Sequence, residues 1–271
     1  MNISHKLRQL AWGAAILLAT TFGTTSAFAQ GGEGNGTAFT PQSGFWTNPN
    51  EINGRGLVLQ LNSKGEIFAS LFMFTDWGQA TWYVVDTAGS PDGRSGQLQR
   101  FVGGQALNGD YRTAMFDGFV GTASFSFDSP ISGTLTFPGG TMSIQRYNFV
   151  AGGVASGPQA GAPGGGWWFN SAESGRGFFL EAQGDSMLLV IMGYDDAHQP
   201  VWYTARGAMT TPQLFQGQLI ESYGGQTMGG EYQQPNAAVG RGNITVQFAD
   251  DHQGIITLPS GRQTPIVPYT F

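Results

Sequence analysis

The sequence predicts an all-β protein made of two tandem, similar antiparallel domains, each read as an eight-stranded up-and-down barrel. Three observations carry that reading. The first is internal repetition: GFWTNPNEINGRG, from Gly44 to Gly56, returns as GWWFNSAESGRG from Gly166 to Gly177. Further on, ATWY (Ala80 to Tyr83) answers PVWY (Pro200 to Tyr203), and GQLQRFVGGQALNGDY (Gly96 to Tyr111) answers GQLIESYGGQTMGGEY (Gly217 to Tyr232). Self-similarity of this length defines the folding unit before any other feature does. The second is composition. Glycine is abundant, with 43 residues, but 13% of the chain is aromatic, and disordered chains lack aromatics. The third is spacing: short alternating apolar runs lie between Gly, Asp, Asn and Pro clusters, the signature of strands joined by tight turns.

Residues 1–29 read as a secretory signal peptide: Lys6 and Arg8, an apolar run from Leu10 to Leu18, then Ala27-Phe28-Ala29 as the cleavage site. The run is too short for a membrane anchor. Cleavage removes two of the 12 basic residues and none of the 18 acidic ones, so the net charge of −6 becomes −8. That balance argues against nucleic acid as a partner. The chain has no cysteine, so an exported protein of this kind relies on its core rather than on disulfides. Residues 30–43 (QGGEGNGTAFTPQS) read as a flexible leader.

The first repeat spans residues 44–149. Strands are expected at Gly44 to Thr47, Leu57 to Leu61, Ile67 to Phe74, Thr81 to Val85, Gly96 to Phe101, around Phe125 and Phe127, at Ser132 to Phe137, and at Met142 to Phe149. The NSKG, DWGQ, SPDG and PGG segments are the turns between them. No segment shows a capped helical period. Residues 150–165 are a Gly/Pro/Ala-rich linker, and 166–271 repeat the same order. A closed barrel removes open strand edges; a pair of packed sheets is the alternative that periodicity leaves open. Ile67 to Phe74 and Met187 to Ile191 are apolar on both faces, which calls for a cover on the outer face, most economically the other repeat. Self-association, a partner protein or lipid are the alternatives weighed against it.

The ending Val267, Tyr269, Phe271 resembles a membrane-barrel terminus, but Tyr147 and Phe149 hold the same places mid-chain, and Pro265 and Pro268 would interrupt a last membrane strand. No membrane insertion of the mature chain is expected.

Chemistry is sparse. His5 leaves with the leader, His198 and His252 lie in polar turns, and no nucleophile or metal signature occurs, so no catalytic residue, metal or cofactor is assigned. Asp195-Asp196 and Asp250-Asp251 read as turn formers rather than cation ligands. The paired residues are more informative. Glu51 with Arg55, and Glu173 with Arg176, read as structural salt bridges across a glycine bend. Trp46 with Asn48 and Trp168 with Asn170 lie two apart, on one strand face, and offer an apolar wall beside an amide that both donates and accepts. With Trp82 and Trp202 as second walls, they form two candidate ligand sites, one at each barrel end.

The G-x-W-x-N starts (Gly44, Trp46, Asn48; Gly166, Trp168, Asn170) resemble the first strand of avidin-type and lipocalin-type barrels. Those barrels bind small ligands in the mouth, and lipocalins lay a basic residue of the last strand across that Trp. Arg146 stands there in the first repeat, and Pro268 in the second. The GRG and WY elements are similar to a tandem repeat of secreted proteobacterial proteins of uncharacterised function, which implies export and fold rather than activity. The expectation is an exported, periplasmic or extracellular bacterial protein, noncatalytic, binding a small or extended ligand, carbohydrate or amphipathic. One alternative is an inhibitor or scaffold that binds another protein through an exposed apolar strand. A second is a hydrolase using Glu51 or Glu173.

Overall fold

The computed structural model describes residues 39–51, 54–90 and 94–271. The segment read as a signal peptide, the first part of the segment read as a leader, Ile52-Asn53 and Pro91 to Gly93 of the SPDG turn lie outside the described residues. Barrel 1 comprises β1 (Gly44–Thr47), β2 (Gly56–Leu61), β3 (Ile67–Phe74), β4 (Ala80–Asp86), β5 (Ser95–Val102), β6 (Met115–Ser129), β7 (Ser132–Phe137) and β8 (Gly140–Arg146). Barrel 2 comprises β9 (Gly166–Asn170), β10 (Glu173–Gln183), β11 (Ser186–Tyr194), β12 (Pro200–Thr211), β13 (Leu214–Tyr223), β14 (Ala237–Phe248), β15 (Gly254–Thr257) and β16 (Gln263–Pro268). In each, consecutive strands pair antiparallel, and the first meets the last: Trp46 opposite Arg146, Trp168 opposite Pro268.

Period two sorts the side chains. On β3, Ile67, Ala69, Leu71 and Met73 join Trp46, Leu57, Leu59, Val85, Leu98 and Leu135 inside barrel 1. The alternate residues Phe68, Phe72 and Phe74 point outward into a cluster shared with barrel 2. The cover that the two-faced apolar strands required is therefore the other repeat. Strands β4 and β12 cross at the centre of the contact.

Three details depart from the expectation. β6 runs well before Phe125, because Gly118 and Gly121, both at positive φ, let the strand bend through two bulges against β5 instead of ending. The linker is pinned: Gly153–Ser156 forms a 3-10 turn and Gln159 N–H donates to Gly184 O at 3.1 Å, on the β10–β11 turn. The end of the leader is also held, with Gln42 N–H bonded to Pro130 O at 2.8 Å. Backbone donors in these segments find carbonyls on the barrels, which a composition of Gly and Pro does not reveal.

Candidate functional site: the seam between the barrels

The residues that both copies retain mostly build the seam, and they do so reciprocally. Trp82 and Trp202 stand on the outer faces of β4 and β12. Trp82 Nε1–H donates to Gly193 O at 3.0 Å, and Trp202 Nε1–H to Met73 O at 2.9 Å; Gly193 and Met73 are themselves equivalent positions in the two copies. Gln60 Oε1 accepts from Trp167 N–H at 2.7 Å, and Glu181, its equivalent, accepts from Phe45 N–H at 2.7 Å. Glu181 also pairs with Arg146, both buried. Arg146 donates further to Ser43 O and Phe45 O, so it fixes the β1 edge to barrel 2.

The GGQ loops are exchanged in the same way. Arg55 binds Glu51 through Nη2 at 2.7 Å and Nε at 3.3 Å, and its Nη1–H reaches Met228 O at 2.7 Å on the other copy's loop. Arg176 binds Glu173 at 3.1 Å and reaches Leu107 O at 3.0 Å. Glu173 receives a second cation, Arg262. Burial pushes the Arg176 guanidinium down to about 10, Glu173 opposing and Arg262 assisting. Met228 packs against the interior of barrel 1, and Leu107 against the cluster that includes the interior of barrel 2. Each loop thus stoppers the end of the opposite barrel where β1 or β9 leaves it. The second glycine of each GGQ makes this possible. A Cβ on Gly104 would lie 2.1 Å from the Tyr194 ring, and one on Gly225 2.4 Å from the Phe74 ring.

The sequence-derived site residues are consequently not assembled at barrel mouths. The Trp46 indole lies inside barrel 1, 5.6 Å from the Phe127 ring, and Trp168 meets Phe248 at 5.4 Å in the same way. Trp82 and Trp202 face the other barrel. Asn48 Oδ1 accepts from Asn50 N–H at 3.0 Å and its Nδ2 donates to Glu51 at 2.9 Å; Asn170 Oδ1 accepts from Ala172 N–H at 3.0 Å. Both amides close their own turns. Asp195 and Asp250 do likewise, accepting from Gln199 and His252 N–H at 2.8 and 2.7 Å. Among the described residues no group of three or more His, Cys, Asp or Glu could hold a metal.

What the seam does contain is a cleft of 490 Å³. Phe45, Thr47, Phe72 and Tyr147 border it from barrel 1, and Leu188, Trp202, Thr204 and Ser222 from barrel 2, with Asn236 and Ala237 at its rim. Phe72 lies 5.4 Å from the Trp202 ring. Arg55 is the charged residue on its wall, and Glu51 neutralises it. The lining is mainly apolar with a few hydroxyl and amide groups, which is the make-up of small-molecule sites.

The related position on the far side of the seam is filled with rings. Where the cleft has Leu188, Thr204, Ser222 and Ala238, the first copy supplies Phe68, Val84, Phe101 and Phe116, the last two paired across β5 and β6 as Ser222 and Ala238 are across β13 and β14. Phe68 packs on Trp167, Tyr269 and Phe271 at 5.3–6.0 Å. Phe101 stacks on Trp82 at 6.4 Å and meets Phe116 at 5.8 Å. Phe72, where the second copy has Met192, and Pro235, where the first has Ala114, run the other way, with the larger residue on the open side. Reading the repeats for what they share could not find this cleft, because it is made by residues in which they differ in size. Comparison of the chain with family models, with curated proteins and with solved structures returns no match.

Proposed function

We propose that this chain is an exported, noncatalytic binding protein that holds a small ligand in the cleft between its two barrels. The observation that carries the reading is the 490 Å³ apolar recess left beside Trp202 in the seam; a smaller recess between Gln79-Ala80 and Asp195, Glu221 and Arg241 is mainly polar. Preformed concave sites of this size and lining, at a contact between domains, suit a drug-sized molecule. The barrel ends at Asn48 and Asn170 do not favour a ligand, since the opposite loop occupies them.

The hydrolase reading has less support. Glu51 is buried and held by Arg55 and Asn48, and Glu173 is held by Arg176 and Arg262, so neither is a lone carboxyl tuned for proton transfer. The protein-interaction reading rested on exposed apolar strands, and β3 and β11 are covered by the opposite copy. Its remaining footholds among the described residues include Trp77, 90% exposed at the β3–β4 turn, where the second copy has Ala197, and the exposed Met115 and Phe119 on β6.

A thermal-shift screen of small apolar and amphipathic compounds, glycosides included, tests the proposal. A ligand at a hundred times its Kd stabilises by about 2.7 kcal/mol. Hits are then titrated into Leu188→Phe, the residue that the first copy carries at the equivalent position. Binding is expected to be lost while the melting temperature is kept, and each compound is expected to be recovered unchanged. Undiminished affinity in a folded Leu188→Phe protein places the site elsewhere and overturns the reading.

A further inference from the structure

The far side of the seam indicates what fits the near side. The two copies place equivalent backbones and equivalent tryptophans, Trp82 and Trp202, on the two sides. On the Trp82 side the space is occupied by the chain's own phenyl rings: Phe101 lies over the indole with 21° between the planes, and Phe116 packs edge-on against Phe101 at 66°. On the Trp202 side Ser222 and Ala238 stop short, and the cleft begins where those rings would be. A ring that enters there meets an indole in the offset geometry that aromatic pairs favour.

Charge narrows the class further. Among the described residues no Asp or Glu borders the cleft, and the Arg55 guanidinium spends three of its donors on Glu51 and Met228. A cation would meet no carboxylate there and an anion only a guanidinium already neutralised by Glu51, so burying either charge is costly. Thr204, Ser222, Asn236 and Tyr147 leave hydroxyl and amide groups near the opening for one polar edge.

We propose that the cleft takes an uncharged, planar, mainly apolar ring system with hydrogen-bonding groups on one edge, and takes one per chain because the equivalent space opposite is filled by Phe68, Phe101 and Phe116. This rests on the reading of the cleft as the ligand site.

The test uses 2-naphthol, 2-naphthoate, 2-naphthylmethylammonium and maltose as probes, titrated into the purified exported chain by calorimetry. 2-Naphthol is expected to bind with a stoichiometry of one. Both charged probes are expected to bind about ten-fold or more weakly by comparison, through the cost of burying an unpaired charge, and maltose not measurably. Ser222→Phe with Ala238→Phe, which copies the opposite filling, is expected to abolish naphthol binding without lowering the melting temperature; if that pair fails to fold, Leu188→Phe takes its place. Phe101→Ser with Phe116→Ala is expected to create a second site. Equal binding of the charged probes, preference for maltose, or no naphthol binding overturns the ligand class, and leaves the cleft reading standing if other hits still depend on Leu188. Naphthol binding that survives filling in a folded protein overturns both. A stoichiometry of two in the unaltered chain, or of one after Phe101→Ser with Phe116→Ala, overturns the one-sided site.

Discussion

Tyr194 shows how one hydroxyl can be tested against its own repeat. Its ring is fully buried against Trp82 and Gly104, yet its hydroxyl has no hydrogen-bond partner among the described residues, and the first copy carries Phe74 at the same position. An unsatisfied buried polar group costs about 1–3 kcal/mol, so Tyr194→Phe is expected to raise stability by about 1 kcal/mol in denaturant titrations at neutral pH. The same burial holds the Tyr194 phenol well above its ordinary value of 10, and burial followed by Glu221 does so for Tyr203. A phenol whose folded pKa is raised contributes stability that is complete below about pH 10 and is lost as pH climbs above it, because the unfolded chain ionises first. Arg176, lowered to about 10, acts with the opposite sign over the same range, so the comparison of Tyr194→Phe with the unaltered chain isolates the phenol. The variant is expected to lose less stability between pH 9 and 11, pH values chosen to bracket the ordinary tyrosine pKa of about 10. Parallel curves would refute the assignment. Arg55→Ala is a second case. It strands buried Glu51 and frees the Met228 carbonyl, and breaking a buried pair costs about 3–5 kcal/mol, so melting should drop sharply. Unchanged melting would mean that Arg55 serves the cleft rather than the fold.

Among the elements, the GGQ loops are the joints of the molecule. Gly103 N–H bonds to His198 O at 2.8 Å and Gly224 N–H to Gly78 O at 2.7 Å, and the rings of Tyr194 and Phe74 lie against the next glycine in each loop. Gly104→Ala and Gly225→Ala should each destabilise by about 1–3 kcal/mol, the usual cost of overpacking. Gly164→Ala, where an added Cβ meets nothing within 4 Å, is the control and should change little in the same melting experiment. Much of this level was legible in the sequence. Alternation set out the strands, and duplication gave their order. What was not legible was the use of the shared residues. A Trp-Tyr pair on a strand tells only that the two point opposite ways. Which face meets a second domain depends on contacts between residues more than a hundred positions apart, as between Trp82 and Gly193. Asn48 was ambiguous for the same reason: an amide that can recognise a ligand can also close a turn, and here it closes one.

At the scale of the whole molecule, the two barrels behave as a dimer built into one chain. Residues 44–149 expressed alone should fold into barrel 1 but leave Phe68, Phe74 and Trp82 uncovered, an apolar face that asks for a partner. The fragment is expected to sediment as a dimer with native-like circular dichroism. A folded, monodisperse monomer would show that the seam adds little, and an unfolded fragment would show that neither barrel stands without the other. The covalent link also changes what a single substitution can do. In a symmetric pair of identical subunits, replacing a phenylalanine with serine opens both sides of the interface together, and the loss of packing is doubled. Residues 150–165 join the copies here, so Phe101 and Ser222 stand at equivalent places and answer to different requirements. One side of the seam can remain a solid aromatic weld that sustains stability, while the other is free to vary residue by residue with whatever it must accommodate.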